Sequence, residues 1–117
     1  MKSFAFVFPG QGSQAVGMLD AWGDHPAVRQ TLDEASAALG QDLASLIHNG
    51  PKEDLALTTN TQPVMLEAGV AAYRAWRAEG GQAPAVVAGH SLGEYAALVA
   101  AEVLTLADAV PLVRLRA

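Results

Sequence analysis

Apolar positions change their period several times along this chain. Residues 4–8, Phe-Ala-Phe-Val-Phe, are uninterrupted and aromatic, which predicts a buried strand stopped by Pro9 and Gly10. A glycine-rich loop follows, to about Asp24. Pro26 suits a first helical turn, and Val28, Leu32, Ala35 and Leu39 then fall at helical spacing until Gly40, so this segment reads as an amphipathic surface helix. Asp42 is placed to cap a shorter helix carrying Leu43, Leu46 and Ile47 as far as Gly50, and "PKEDLALTTNT" after it reads as turn and loop. A long helix is predicted from Pro63 to Glu79. Its first three turns hold Glu67 as their only charge, so most of its circumference must be covered by other protein, while Arg74, Arg77 and Glu79 bring its far end to water. After Gly80 and Gly81 come a short strand, Ala85 to Ala88, and an alanine-rich helix from Glu94 to Ala101. Thr105 and Asp108 are spaced as a capping box for a last helix, which Pro111 is expected to weaken or kink.

The tally is two strands and about five helices, an α/β pattern. Two buried strands do not make a stable parallel sheet, and the last helix stops at Ala117 with no closing signal. The pattern therefore predicts that residues 1–117 are the N-terminal part of a larger α/β domain.

Composition narrows the classes. With 51% apolar residues in 117, the chain is globular and not disordered. The absence of cysteine excludes disulfides and thiolate zinc sites and agrees with a reducing cytoplasm. The N-terminus has one lysine and a short apolar run broken at once by proline and glycine, which is neither a signal peptide nor a membrane span, so a soluble protein is expected. The formal charge of −5 is spread along the chain and the seven basic residues form no block, which argues against a nucleic-acid surface. His25, His48 and His90 lie too far apart to suggest a metal motif, and no cofactor is expected.

Chemistry concentrates in "AVVAGHSLGEYAA", residues 85–97. Gly89, Ser91 and Gly93 form G-x-S-x-G, the pattern in which a strand turns sharply into a helix and lifts a serine hydroxyl clear of the backbone. Side chains two positions either way would clash where strand and helix nearly touch, hence the glycines. The predicted flanking strand and helix supply the required context. A second glycine pattern, Gly10-x-Gly12-x-x-Ala15, follows the first strand and has the permissive form of a dinucleotide fingerprint. The acid expected about 20 residues on would fall at Asp33 or Glu34, inside a helical pattern, and no lysine follows as in a P-loop, so nucleotide binding is set aside. Serine acyl chemistry gives this loop a better use. Acyl transfer needs two backbone N–H donors aimed at the developing oxyanion. Leu92, directly after the serine, is one, and Gln11, between two glycines, is the candidate for the other.

With "VFPGQGSQ" at 7–14, "TQPV" at 61–64, "GHSLGEYAAL" at 89–98 and "ADAVPLVRLRA" at 107–117, the chain resembles the malonyl-CoA:acyl carrier protein transacylases over its whole length. The resemblance implies an α/β-hydrolase-like parallel sheet with flanking helices and an inserted ferredoxin-like subdomain beyond residue 117. It implies a ping-pong transfer of malonyl from malonyl-CoA to the phosphopantetheine thiol of acyl carrier protein through a serine ester. On that likeness Ser91 is the nucleophile, Gln11 and Leu92 form the oxyanion hole, and Arg116 holds the malonyl carboxylate; composition alone does not single out Arg116. The family's catalytic histidine lies beyond residue 117, so the 117-residue chain alone is expected not to turn over. His90 is read as packing or hydrogen bonding beneath the elbow and not as the base. Glu94 is read as favouring its helix start, Gln62 as bracing a loop near the site, and Trp22, Trp76 and Tyr95 as packing residues.

Three rivals share these features. A serine hydrolase would pass the acyl group from Ser91 to water, but an anion-binding arginine suits a dicarboxylic acyl group better than a lipid ester. An acyltransferase domain of a polyketide synthase would use the same chemistry. A fragment that keeps the elbow without a general base would be inactive, with exposed apolar helix faces.

Overall fold

The structure, a computed structural model, describes residues 3–117. Two short strands, β1 (Ala5–Phe8) and β2 (Val86–Gly89), pair in parallel, with Ala5 opposite Val86 and Phe8 opposite Gly89. Six helices surround them: α1 (Pro26–Leu39), α2 (Leu43–Asn49), α3 (Lys52–Leu55), α4 (Thr58–Ala78), α5 (Leu92–Ala100) and α6 (Leu106–Arg116), with one 3-10 turn at Asp20–Trp22. The arrangement is mixed α/β with a small parallel sheet.

The caps fall where short polar side chains were predicted. Asp42 accepts from Ser45 N at 3.0 Å and starts α2, and Thr105 accepts from Asp108 N at 3.2 Å and starts α6. Gly40 ends α1 in the left-handed conformation. Ahead of α1, His25 and not an acid does the capping, its Nδ1 accepting from Ala27 N while Nε2 meets Glu79 at 2.8 Å.

Among the described residues the helices cover one face of the sheet, where the sequence reading had both strands buried. Phe6, Phe8, Val87 and Gly89 face the helices, and Phe8 packs over Gly69 of α4 beside Ala96 of α5. Val7 and Val86 point the other way and are 69% and 58% exposed. A parallel sheet is ordinarily covered on both faces. Both faces carry apolar side chains, which is why the run shows no alternation in the sequence.

Helix α4 is the centre of the molecule. Its residues 61–68 are all buried, as the near absence of charge foretold. It begins at Thr58, however, so residues 58–61, read as turn and loop, are its first turn, and 52–55 form the separate α3. Threonine and asparagine are weak helix formers, and the proline at 63 resembles a helix start. Tertiary anchoring overrides both. Leu55 is buried beneath the junction, and Thr61 Oγ1 donates to the carbonyl oxygens of Leu55 and Leu57.

Pro63 thus sits inside a helix and has no N–H for the carbonyl of Thr59, four residues back. Arg114 Nε supplies the missing donor, 3.0 Å from Thr59 O. Helix α6 also runs through its own proline, Pro111, without interruption. Glu67 lies fully buried in α4, and among the described residues neither carboxyl oxygen has a hydrogen-bond partner. Burial, with the negative charge of Asp42 as a smaller cause, pushes its pKa well above the usual carboxylate range.

Trp22 and Trp76 pack at the periphery and not in the core, 37% and 42% exposed. Trp76 meets Phe4 edge-on and donates to Gln82 O at 3.0 Å. No helix among the described residues is long and apolar enough to cross a membrane.

Candidate active site

The sharp turn predicted at Ser91 is present between the end of β2 and the start of α5. Ser91 has φ 56° and ψ −114°, a backbone state that a side-chain-bearing residue adopts only under constraint. The constraint is the proximity of strand and helix. A Cβ added at Gly89 would lie 2.0 Å from Gly93 O, and one added at Gly93 would lie 2.3 Å from Phe8 O. No side chain fits at either position. The two glycines therefore let α5 start against the ends of both strands, and the serine between them is left exposed.

The first glycine loop adjoins this turn, since a Cβ at Gly10 would lie 3.0 Å from His90 O. Gln11 is exposed in that loop, and its side chain donates to Thr58 Oγ1 at the start of α4. Leu92 buries its side chain completely while its backbone opens α5. As the first residue of a helix it has a main-chain N–H with no intrahelical acceptor, directed toward the helix N-terminus with its favourable field for negative charge.

Arg116 comes from the last turn of α6, 25 residues after Ser91, and the structure brings the two together: Nη2 donates to Ser91 Oγ at 2.8 Å. Its Nη1 donates to Gln62 Oε1 at 2.9 Å, and its Cζ stands 5.4 Å from the centroid of the Tyr95 ring. Gln62 accordingly does not brace a loop. It lies on α4, buried, and holds the arginine. Tyr95 is half-buried and faces that same arginine, which goes beyond packing. His90 follows the end of β2 and is exposed among the described residues, where it was read as packed beneath the elbow. Glu94 lies exposed in the first turn of α5, where its charge suits the helix dipole.

Sequence reasoning missed the partners that fix Arg116. Arg114, two residues before it, bonds Thr59 O through Nε and Asn60 Oδ1 through Nη2 at 3.0 Å. Two arginines of α6 thereby dock onto acceptors in the first turns of α4, Thr59 and Asn60 for one and Gln62 for the other. A sequence signal existed in Pro63, whose presence within a helix frees a carbonyl at position 59, but it is invisible while the helix is taken to start at Pro63. Among the described residues no three His, Cys, Asp or Glu side chains converge to hold a metal ion.

Comparisons with known proteins bear on this site. The model of the family described as "Acyl transferase domain" matches residues 5–117. Malonyl CoA-acyl carrier protein transacylase of Escherichia coli (strain K12) is 60% identical over 117 residues, which cover 99% of this chain and 38% of that protein. The crystal structure of an acyl-carrier-protein S-malonyltransferase from Burkholderia pseudomallei 1710b is 65% identical and superimposes with a TM-score of 0.96, covering 98% of this chain and 38% of that one. A malonyl-transacylase solved in complex with a type II PKS acyl-carrier protein is 53% identical, with a TM-score of 0.93 over 98% of this chain and 38% of that one. The chain thus spans about two fifths of the length of these relatives. With a family model matched from β1 to the end of α6, and an elbow whose glycines are sterically required, the chain belongs to the acyl transferase domain family.

Proposed function

We propose that this chain carries the nucleophile and the acid-recognising residue of a malonyl-CoA:acyl carrier protein transacylase. The observation that carries the reading is the contact between Arg116 and Ser91 at 2.8 Å. A serine hydroxyl on a constrained strand-to-helix turn is equipped to accept an acyl group. A guanidinium beside it is equipped to hold a second carboxylate on that same acyl group. Malonyl has both ends, a thioester carbonyl and a free carboxylate. A hydrolase acting on neutral esters has no use for the arginine.

Ser91 Oγ attacks the thioester carbonyl of malonyl-CoA, its proton passing to a base supplied from outside the 117 residues. The carbonyl oxygen becomes an oxyanion held by the main-chain N–H groups of Gln11 and Leu92. Collapse expels the coenzyme A thiol and leaves malonyl as an ester on Ser91. The phosphopantetheine thiol of acyl carrier protein then attacks that ester, and the serine hydroxyl is restored. Arg116 holds the malonyl carboxylate in both half-reactions. The finer architecture belongs to the same reading: an α/β-hydrolase-like sheet extended by further strands, an inserted ferredoxin-like subdomain outside residues 1–117, and a cytoplasmic enzyme.

Incubation of the full-length protein with malonyl-CoA, followed by mass spectrometry of its peptides, tests the assignment. The expected result is a malonyl adduct on the peptide containing Ser91 and none in Ser91→Ala. An adduct that persists in Ser91→Ala refutes it.

A further inference from the structure

The loop that carries Gln11 is fixed at both ends and little held between them. At one end Gly10 lies so near the elbow that a Cβ there would stand 3.0 Å from His90 O. At the other, Gly17 N donates to Ile47 O at 2.7 Å, His48 Nδ1 meets Asp20 Oδ1 at 2.7 Å, and Leu19 is buried. Residues 11–16 are mostly exposed, and among the described residues one hydrogen bond ties them to the rest of the fold: Gln11 Nε2 donates to Thr58 Oγ1 at 3.0 Å. The loop's other amide side chain, Gln14, accepts from Gly12 N at 2.8 Å and so stays within the loop. Among the described residues the main-chain N–H of Gln11 has no acceptor.

We infer that Thr58 is a positioning residue for the acylation step: its hydroxyl, on the first turn of α4, fixes the Gln11 side chain and thereby aims the Gln11 main-chain N–H. The inference rests on the reading of Ser91 as the serine that takes the acyl group and of that N–H as one of its two oxyanion donors. Such a donor works by being in place before charge develops, and one that must first be ordered stabilises the transition state less. Gly10 and Gly12 leave the loop compliant, Gly12 standing at φ 111°, so the backbone at Gln11 does not hold its direction unaided. Thr58 suits the task because its helix start is anchored. Thr61 Oγ1 bonds the carbonyls of Leu55 and Leu57, Leu55 is buried, and Arg114 ties Thr59 and Asn60 to α6. No side-chain cap opens α4, and the Thr58 hydroxyl is committed to Gln11 instead.

The test follows serine acylation in single turnover, with malonyl-CoA and with acetyl-CoA, in the full-length protein carrying Thr58→Val, Thr58→Ser, Gln11→Met or Thr58→Val together with Gln11→Met. Thr58→Val keeps the shape and removes the hydroxyl. It is expected to slow acylation about tenfold with either thioester, a part of the roughly hundredfold or greater loss that follows removal of a whole oxyanion donor. The half-saturating thioester concentration should stay unchanged, because the contact acts on the transition state. Thr58→Ser keeps the hydroxyl and should recover the rate that Thr58→Val loses. Gln11→Met breaks the tether from the loop side, where it cannot disturb the helix start, and the double variant should be no slower than either single one. Amide exchange over residues 10–14 should quicken in both single variants. A wild-type acylation rate in Gln11→Met or in Thr58→Val, losses that multiply in the double variant, or a loss confined to malonyl-CoA overturns the inference. With the rate unchanged, quickened exchange places the fault in the oxyanion reading of Gln11, and unchanged exchange places it in the tether. Failure of the Ser91 reading is separate and visible in the wild type, as the absence of any malonyl adduct on Ser91.

Discussion

Ser91 Oγ accepts a hydrogen bond from Arg116 Nη2 at 2.8 Å, joining the start of α5 to the end of α6. The same guanidinium reaches Gln62 of α4 through its other terminal nitrogen. The cation beside Ser91 therefore has its position set by a third helix.

The first expected consequence concerns acyl preference. Arg116→Ala should lower the malonyl-to-acetyl ratio of kcat/KM by about two to three decades, the scale of a lost charge-assisted pair. Arg116→Lys should recover only a small part, because an ammonium cannot reproduce the two parallel donors of the fork. Steady-state kinetics with both thioesters checks this, and an unchanged ratio in Arg116→Ala would make the residue structural.

The elbow glycines give a stability prediction. In Gly93→Ala the new methyl would sit 2.3 Å from Phe8 O, so strand and helix must separate, at a cost of about 3 kcal/mol or more. Gly40→Ala is the control. That glycine is left-handed, at φ 66°, as Gly93 is not, but it has open space around it, and only the backbone term of about 1 kcal/mol is expected. Urea unfolding midpoints should separate the two variants clearly.

Arg114 is expected to matter for stability although it does not touch Ser91. Arg114→Met keeps the apolar stem and leaves Thr59 O and Asn60 Oδ1 without their donor, which should cost about 1 to 3 kcal/mol. Because α6 then loses its register on α4, malonyl selectivity should fall as well. Full stability in Arg114→Met would show that water serves the Thr59 carbonyl equally well.

Glu67 supplies the pH dependence. Burial raises its pKa in the folded state, so between the ordinary glutamate range and that raised value the folded chain binds a proton that the unfolded chain has lost. Its contribution is therefore fully present below the unfolded pKa and declines as pH rises toward the folded one. Glu67→Gln, nearly isosteric and always neutral, should match the wild type in mild acid and become progressively more stable than it toward neutral pH. Denaturation curves across that range decide it, and parallel curves at every pH would contradict the raised pKa of Glu67.

The elements and the elbow were legible in the sequence because their causes are local. Glycine spacing, the caps at Asp42 and Thr105, and the uncharged run of α4 each act within a few residues. The strands came out one residue short or shifted, at Ala5–Phe8 and Val86–Gly89, and the start of α4 was placed five residues late at Pro63 in place of Thr58. In that last case Leu55 and Thr61 overrode weak helix formers, an effect that exists only once the chain has packed.

The motif by itself determined that Ser91 would stand exposed on a tight turn, since no other residue type than glycine fits two positions away on either side. Only the tertiary structure decided what stands opposite it. Arg116, Gln62 and Tyr95 lie on three helices, and their meeting depends on how α6 docks on α4 through Arg114, Thr59 and the gap that Pro63 leaves in the hydrogen-bond ladder. No periodicity in the chain encodes that register, because it is fixed by contacts between residues more than fifty positions apart.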